Sequence, residues 1–203
     1  MKPSISRRHF IAGAIVATAL ASTPALARRG QSSTQTTVPL SEGERNLLVY
    51  MREEEKMARD VYLTFNGMWP HVTFESIAVS EQRHMDAVKK SLDKYQLTDP
   101  VQNAVGVFTD QGLQALYNTL IASGSGSLVD ALKVGCTIED VDIMDLQRAM
   151  DLATHVDLDV LYQHLMDGSR NHLRAFAGAL DVLGASYTPQ YMSQEMYDAI
   201  IGL

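Results

Sequence analysis

The chain has 203 residues, of which 46% are hydrophobic and one is a cysteine, and its formal net charge is −7. This acidic balance disfavours nucleic acid and anionic membranes as partners, and it suits small cations. A single cysteine excludes an internal disulfide and any metal site built from four thiolates.

The N-terminus has the pattern of an export signal. Residues 1–27 combine a basic start, an apolar run over residues 11–21 and an Ala-Leu-Ala cleavage sequence that ends at Ala27. Arg7 and Arg8, in the sequence "SRRHF", resemble a twin-arginine signal, the type read by a pathway that exports folded proteins. The apolar run is shorter than the roughly 20 residues of a membrane-spanning helix. We therefore predict a periplasmic protein with no membrane attachment after cleavage; the alternative is an uncleaved anchor.

Cleavage after Ala27 leaves 176 residues with a net charge of −10, because the removed segment carries three basic and no acidic residues. A chain of this length forms one domain that buries roughly 70% of its unfolded surface. Residues 28–40 are polar, aperiodic and rich in Ser, Thr and Gln, and they are predicted to be a flexible linker. Residues 41–203 are predicted to form the folded domain.

Cap signals mark the first two helices of this domain. Ser41 and, three residues later, Glu44 form a capping box that predicts a helix reaching about Phe65. Thr73 is predicted to cap a second helix that reaches about Tyr95. A long connection separates this pair from the second half of the chain.

Four more helices are predicted after the second one. A short one runs from Asp110 to about Ala122, two long ones are capped by Ser127 and Asp157 and reach about Leu152 and Leu183, and a small terminal one begins at Ser193. No segment alternates steadily between apolar and polar residues, which disfavours a sheet. The fold class is therefore predicted to be all-α, a four-helix bundle with a long crossover of about 30 residues between its second and third helices. A short C-terminal helix completes it.

The apolar stripe of each long helix is interrupted near its middle by side chains that can bind metal. Because every interruption lies about halfway along its helix, all of them meet at one level, whichever way each helix runs. The interrupting residues, in chain order, are Glu55, Glu81, His84, Glu139, Asp142 and His172.

Four carboxylates at one buried level require positive charge beside them. Two divalent cations would balance the four charges and leave His84 and His172 as neutral nitrogen donors. Oxygen and nitrogen ligands without a thiolate suit iron or manganese and tolerate zinc. The sequence therefore predicts a site for two metal ions, with iron as the first candidate.

A polar layer without metal is the alternative, in which Arg59, Arg83 or Arg170 would neutralise the carboxylates from neighbouring faces. Glu53 and Glu54 are interpreted as a solvated run beside Glu55. A shift of one residue in the helical register would exchange Glu54 for Glu55.

The motifs resemble the ferritin-like superfamily, and rubrerythrins most closely, over about residues 41–184. They also resemble a ferritin-like family described only as a domain of unknown function. The rubrerythrin pattern Glu-x-x-Ala-Arg-x-x-Tyr matches at Glu55, Ala58, Arg59 and Tyr62, and its Glu-x-x-His matches at Glu81 and His84. Its Glu-x-x-Glu matches at Glu139 and, with an aspartate in the last place, at Asp142. Of its last Glu-x-x-His, only the histidine is present, at His172. Ser169 stands where that last pattern has its glutamate, which leaves open an asymmetric pair, an open coordination position or a single metal.

The resemblance implies a ferritin-like metalloprotein that oxidises ferrous iron with O₂ or peroxide, or that disposes of peroxide. Tyr62 is interpreted as a catalytic or hydrogen-bonding partner of the metal ligands, or as an ordinary core tyrosine. Rubrerythrins receive electrons from a rubredoxin module, which Cys136 alone cannot build, so a peroxidase would need an external electron donor. A homodimer is compatible with the resemblance.

Two other classes of function remain open at this point. One is a metal-binding or carrier protein without turnover, for iron, copper or zinc. The ten methionines of the chain invite a copper role, but they form no tight Met-x-x-Met cluster and fall where core packing would place them. The other class is a structural bundle with a buried polar layer.

Replacement of both Arg7 and Arg8 by lysine is expected to stop export, because the twin-arginine pathway reads the arginine pair. Cell fractionation should find the wild-type protein processed in the periplasm and the double variant unprocessed in the cytoplasm. A double variant that reaches the periplasm fully processed would show that another export route is used.

Overall fold

The structure is a computed structural model and describes residues 38–202. The predicted signal peptide, residues 1–27, and most of the predicted linker, residues 28–40, lie outside this range. Over the described range, no helix combines the length and the apolar character that crossing a membrane requires.

Six helices and no strands form the described part of the chain, which confirms the all-α prediction. The helices are α1 (Glu42–Met68), α2 (Val72–Lys94), α3 (Gln111–Gly124), α4 (Leu128–Leu152), α5 (Val156–Val182) and α6 (Gln194–Ile201).

The caps predicted at Ser41 and Ser127 are confirmed, and those predicted at Thr73 and Asp157 are wrong. Side chains of Ser41, Asp110, Ser127 and Ser193 accept backbone N–H groups at the starts of α1, α3, α4 and α6. Helix α2 begins at Val72, and its cap is His71 rather than Thr73.

The second wrong cap lies at α5, which begins at Val156 and so starts before the predicted cap Asp157. Its N-cap residue is His155, whose side chain makes no cap hydrogen bond. The imidazole is engaged elsewhere, with Nδ1 2.8 Å from Glu44 Oε1 and Nε2 3.1 Å from the Val38 carbonyl oxygen.

The four long helices neighbour one another in a ring. Helix α1 packs against α2 and α4, and α5 packs against the same two helices, whereas the Cα atoms of the diagonal pairs, α1 with α5 and α2 with α4, stay more than 8 Å apart. Helix α3 packs against α1 and α4, and α6 packs against α5. The centre of the ring is therefore bounded by one face of each long helix.

Helix directions explain the length of the connection between α2 and α4. Three residues separate α1 from α2, so the two are antiparallel neighbours. Helix α1 is also antiparallel to α4, because Tyr62 contacts Glu139 while Glu54, earlier on α1, faces Asp145, later on α4. Since α2 and α4 consequently run in the same direction, residues 95–127 must travel back along the helices before α4 begins.

Buried charged side chains of α1 hold this connection in place. Lys56, which is fully buried, donates to the carbonyl oxygens of Ala104 (2.9 Å) and Val107 (3.1 Å) and pairs with Asp60. Asp60 in turn accepts from the Gly106 N–H at 2.9 Å. The lysine and the aspartate therefore neutralise each other while they fix a turn that lies nearly 50 residues further along the chain.

The expectation that Glu53 is solvated is wrong. Its side chain is buried, and its two oxygens accept the N–H groups of Thr109 (2.7 Å) and Asp110 (2.8 Å). These N–H groups lie at the N-terminus of α3, where a negative charge is favourable. Glu53 thus anchors the start of α3 to α1.

Glu53→Ala should lower the free energy of unfolding by about 2–4 kcal/mol, because two buried N–H groups lose a charged acceptor. Urea unfolding would measure this loss. Glu75→Ala removes an exposed glutamate from α2 and should change stability by less than about 0.5 kcal/mol. Equal stabilities of the two variants would contradict the anchoring role.

Candidate metal centre

A glutamate between two histidines forms the middle of the site. Glu81 Oε2 lies 2.9 Å from His84 Nδ1, and Glu81 Oε1 lies 2.8 Å from His172 Nδ1. One ligand atom from each of these three buried residues lies within 4.8 Å of the others, a spacing at which they could hold a metal ion. The two oxygens of Glu81 thus serve two different imidazoles.

A further carboxylate lies beside each imidazole. Glu55 Oε2 is 3.2 Å from His84 Nδ1, and Glu139 Oε2 is 3.5 Å from His172 Nδ1. The site therefore has two halves, called its arms below: one consists of Glu55 and His84, and the other of Glu139 and His172. Glu81 contacts the histidine of each arm. The four helices α1, α2, α4 and α5 each contribute at least one of these side chains.

The opposite edges of the two imidazoles face the interface between α2 and α5. His172 Nε2 lies 2.8 Å from the Ser80 hydroxyl. His84 Nε2 lies over Gly168, where a Cβ atom would come within 2.4 Å of it. Both rings therefore turn Nδ1 toward the carboxylates, and a residue without a side chain makes room for one of them.

Asp142 and Ser169 lie together at the same level, on α4 and α5. The Ser169 hydroxyl donates to Asp142 Oδ2 at 2.5 Å, and it lies 2.9 Å from the Leu165 carbonyl oxygen. At the two positions where the rubrerythrin patterns described above have glutamates, this chain has Asp142, whose side chain is one carbon shorter, and Ser169, whose hydroxyl is hydrogen-bonded to it. Only Oδ2 of Asp142 is engaged in this way, since Oδ1 is buried and has no hydrogen-bond donor.

Tyr62 contacts the site directly. Its phenol donates to Glu139 Oε1 at 2.5 Å, and its ring is fully buried against Phe74 and Phe176, with ring centres 6.3 and 5.0 Å away. Burial, reinforced by the Glu139 charge, raises the pKa of Tyr62 well above its usual value, so the phenol keeps its proton. The hydrogen bond fixes which oxygen of Glu139 faces His172.

The arginines of the polar-layer alternative do not reach the site. Arg59 pairs with Asp60 and donates to Gln82, and Arg170 approaches only Asp167, at 4.0 Å. Among residues 38–202, no lysine or arginine forms an ion pair with Glu55, Glu81, Glu139 or Asp142. The histidines are thus the protein's own source of positive charge here.

The protonation states follow from this surplus of carboxylates. Burial raises the pKa of Glu55 to about 7 and that of Glu139 to about 6, although the adjacent imidazoles oppose the shift. Burial also raises the pKa of Asp142, and the charges of Glu55 and Glu139 add to the effect. Glu81 differs, because the two imidazoles outweigh its burial and lower its pKa.

The imidazoles show the converse effect. Burial alone would lower the pKa of His84 and of His172, but the carboxylates around them dominate. Glu55 and Glu81 raise the pKa of His84 to about 12, and Glu81 and Glu139 raise that of His172 to about 10. Metal-free, the site therefore holds protons that a divalent cation would displace.

Glu54 is a site neighbour that the sequence interpretation missed. Its side chain is buried rather than solvated, and it faces Asp145 and Asp142 across the interface between α1 and α4. The three-residue spacing of Glu139, Asp142 and Asp145 on α4 was a signal that could have revealed it.

The donor set fits a metal centre of oxygen and nitrogen ligands. Two buried carboxylate oxygens, Glu55 Oε1 and Asp142 Oδ1, have no hydrogen-bond donor in the described structure. Carboxylates and imidazoles in this mixture are ligands for iron, manganese or zinc. The structure brings all six predicted ligand residues to one level of the four long helices.

Comparison with known proteins gives relatives without an assigned activity. A family model described as an uncharacterized protein domain (DUF2202) matches residues 44–202. The uncharacterized protein MJ0754 of Methanocaldococcus jannaschii is 52% identical over 164 residues, which cover 80% of this chain and 89% of that protein. A crystal structure described as hypothetical protein MJ0754 from Methanococcus jannaschii has 50% identity and a TM-score of 0.81, with 84% of this chain and 98% of that chain covered.

Gly168→Ala should displace the His84 imidazole, because the new Cβ atom would lie 2.4 Å from Nε2. We expect a loss of about 1–3 kcal/mol in unfolding free energy and weaker binding of Zn²⁺, measured by urea unfolding and calorimetry. Gly178→Ala, on the same helix, meets no atom within 4 Å and should gain up to about 1 kcal/mol in unfolding free energy. The same outcome for both glycines would contradict the close approach at Gly168.

Proposed function

Because the chain belongs to the uncharacterized DUF2202 family, we propose its function from the geometry of the buried centre. The proposal is a ferritin-like protein of the periplasm that binds two metal ions, with iron as the preferred metal. It oxidises ferrous iron, or it reduces peroxide or O₂ with electrons from an external donor.

The observation that carries the proposal is the shared position of Glu81. Each of its oxygens faces one histidine Nδ1, and each histidine has its own second carboxylate, Glu55 or Glu139. Glu55 and His84 would hold one ion, Glu139 and His172 would hold the other, and Glu81 would serve both. This pairing is the one expected of a centre with two metals, and a single-metal site does not require it.

The helix arrangement supports the ferritin-like part of the proposal. In ferritin-like folds, one long crossover connects two antiparallel helix pairs, and the metal ligands project inward from all four helices. Here α1 with α2 and α4 with α5 are the pairs, and residues 95–127 connect them. The motifs at Glu55, Glu81 and His84 match rubrerythrins at corresponding positions.

The chemistry of the bound metals would be electron transfer to or from an oxygen species. The protein's own residues define the surroundings of that chemistry. Burial of Glu55, Glu81 and Glu139 excludes bulk water, and the Tyr62 phenol orients Glu139 and is the nearest candidate for a redox-active side chain. Because the metal-free carboxylates and imidazoles hold protons, metal affinity should rise with pH.

The electron source for a peroxidase would have to be another molecule. Cys136 is the one cysteine of the sequence; it lies buried on α4, and burial raises the pKa of its thiol. A single inert thiol can neither form a disulfide within the chain nor build an iron–sulfur centre. Ferrous iron as the substrate would remove this requirement, because it brings its own electron.

A single-metal carrier is the second candidate. Glu81, His84 and His172 already lie within 4.8 Å of one another and could hold one ion without the outer carboxylates. In that case Glu55 and Glu139 would orient the imidazoles instead of binding metal. The two proposals differ in the number of ions and in the effect of each histidine.

Metal analysis of stripped and reloaded protein separates these candidates. The wild-type chain should take up about two Fe²⁺ or Zn²⁺ ions under anaerobic conditions, and His84→Ala or His172→Ala should each leave about one. Glu81→Gln should impair both ions, while Glu75→Gln, an exposed change on the same helix, should leave metal content unchanged. Ferrous oxidation should fall in parallel with metal content. A wild-type content of one ion, lost in both histidine variants, would favour the carrier.

Thermal unfolding gives an independent readout of the same centre. Metal that binds only the folded chain should stabilise it by about 4 kcal/mol at a thousandfold excess over the dissociation constant. Chelation should therefore lower the melting temperature, and added Fe²⁺, Mn²⁺ or Zn²⁺ should restore it. A melting temperature unchanged by either treatment would contradict the metal-binding proposal.

A further inference from the structure

A second pair of buried carboxylates adjoins the centre and belongs to neither arm. Glu54 is 3% exposed, and no hydrogen-bond donor reaches either of its carboxylate oxygens. It faces Asp145, which is 4% exposed and whose Oδ2 also lacks a donor, and the two carboxyl groups are close enough to hydrogen-bond when one of them is protonated. Two carboxyl groups remain buried side by side only when a proton or a cation lies between them.

The pair lies on a line of carboxylates that runs from the centre toward solvent. Glu139, Asp142 and Asp145 follow at intervals of three residues, so each lies beside the next along α4. One turn beyond Asp145, Arg148 pairs with Asp145 Oδ1, and the arginine side chain is 52% exposed. The acidic line thus begins beneath a surface arginine and ends at the ligand Glu139.

We propose that Glu54 and Asp145 form a transit site for divalent metal ions between the surface at Arg148 and the buried centre. The proposal rests on the metal-binding function proposed above. Imidazole nitrogen suits Fe²⁺ as a ligand, so a site of carboxylate oxygens alone should bind Fe²⁺ less tightly than the centre, which adds two imidazoles. An ion would therefore move inward, and the free Oδ1 of Asp142 is the next acceptor along the line.

A shared proton is the competing explanation for the pair. In that case Glu54 and Asp145 would hold each other through a hydrogen bond and would have no effect on the entry of metal. Glu54→Gln and Asp145→Asn keep the shape of each side chain and supply an N–H donor in place of the shared proton. Folding should therefore be preserved under either explanation, and circular dichroism would confirm it.

The test measures the rate of Co²⁺ uptake by the metal-free full chain in a stopped-flow instrument, with the visible absorption of the bound ion as the signal. Glu54→Gln and Asp145→Asn should each slow uptake about tenfold, a change at the lower end of electrostatic focusing effects. The final Co²⁺ content should equal that of the wild type. Asp181→Asn, which removes an exposed charge from α5, should load at the wild-type rate.

Arg148→Gln provides a change of opposite sign. Removal of the positive charge above Asp145 should speed uptake, which a purely structural role of the pair would not produce. Lys90→Gln removes an exposed positive charge from α2, the helix diagonally opposite α4 in the ring, and should leave the rate unchanged.

The possible failures are distinguishable. Wild-type uptake rates in both acid variants would overturn the transit site and leave the metal centre standing. A lower final Co²⁺ content in Glu54→Gln would make Glu54 a ligand of the centre and also overturn the transit site. If the wild-type chain takes up no Co²⁺, Fe²⁺ or Zn²⁺, the centre and the transit site both fail.

Discussion

Mutual repulsion among buried carboxylates is the constraint on which the middle of this protein depends. Glu55, Glu81, Glu139 and Asp142 meet at one level, and the described residues bring no lysine or arginine to them. Two imidazoles compensate for part of the charge, and burial keeps protons on several of the acids. Such an arrangement is unfavourable unless something of positive charge enters it, and the metal-binding proposal follows from that imbalance.

Helix α1 handles its buried charges in two contrasting ways. Arg52 pairs with Asp99, Glu53 accepts two N–H groups, and Lys56 pairs with Asp60, so these charges are neutralised by the connection that they hold. Glu54 and Glu55 lie between them in sequence but face the middle of the bundle, without a lysine or arginine as partner. Adjacent residues of one helix thus serve two purposes, because α1 is covered by α2, α3 and α4 at once.

Local signals in the sequence predicted much of the fold. The capping residues Ser41, Asp110, Ser127 and Ser193 act through hydrogen bonds within three residues, so their role can be recognised without a tertiary structure. The position of the ligand residues followed from helical periodicity. Glu53 and Glu54 were misjudged because the periodicity argument assumes that a helix has one buried face, and α1 is buried on several.

Interactions between distant residues account for the other errors. His155 stands at the N-cap position of α5 in place of Asp157, and its ring is bound to Glu44, 111 residues earlier, a contact that no local pattern reveals. Ser169 was seen only as a missing glutamate, whereas the structure shows its hydroxyl on Asp142. Through this hydrogen bond the serine hydroxyl stabilises one oxygen of a buried carboxylate, which residue spacing alone does not reveal.

The Glu44 contact also has a consequence for the order of events during synthesis. Glu44 Oε1 accepts from the Thr154 N–H at 2.8 Å as well as contacting His155, so the start of the first helix closes onto the turn between α4 and α5. The ribosome makes these partners about 110 residues after Glu44, and a chain that ends before them leaves the glutamate without them. Attachment of the start of α1 to this turn therefore cannot precede synthesis of the whole of α4.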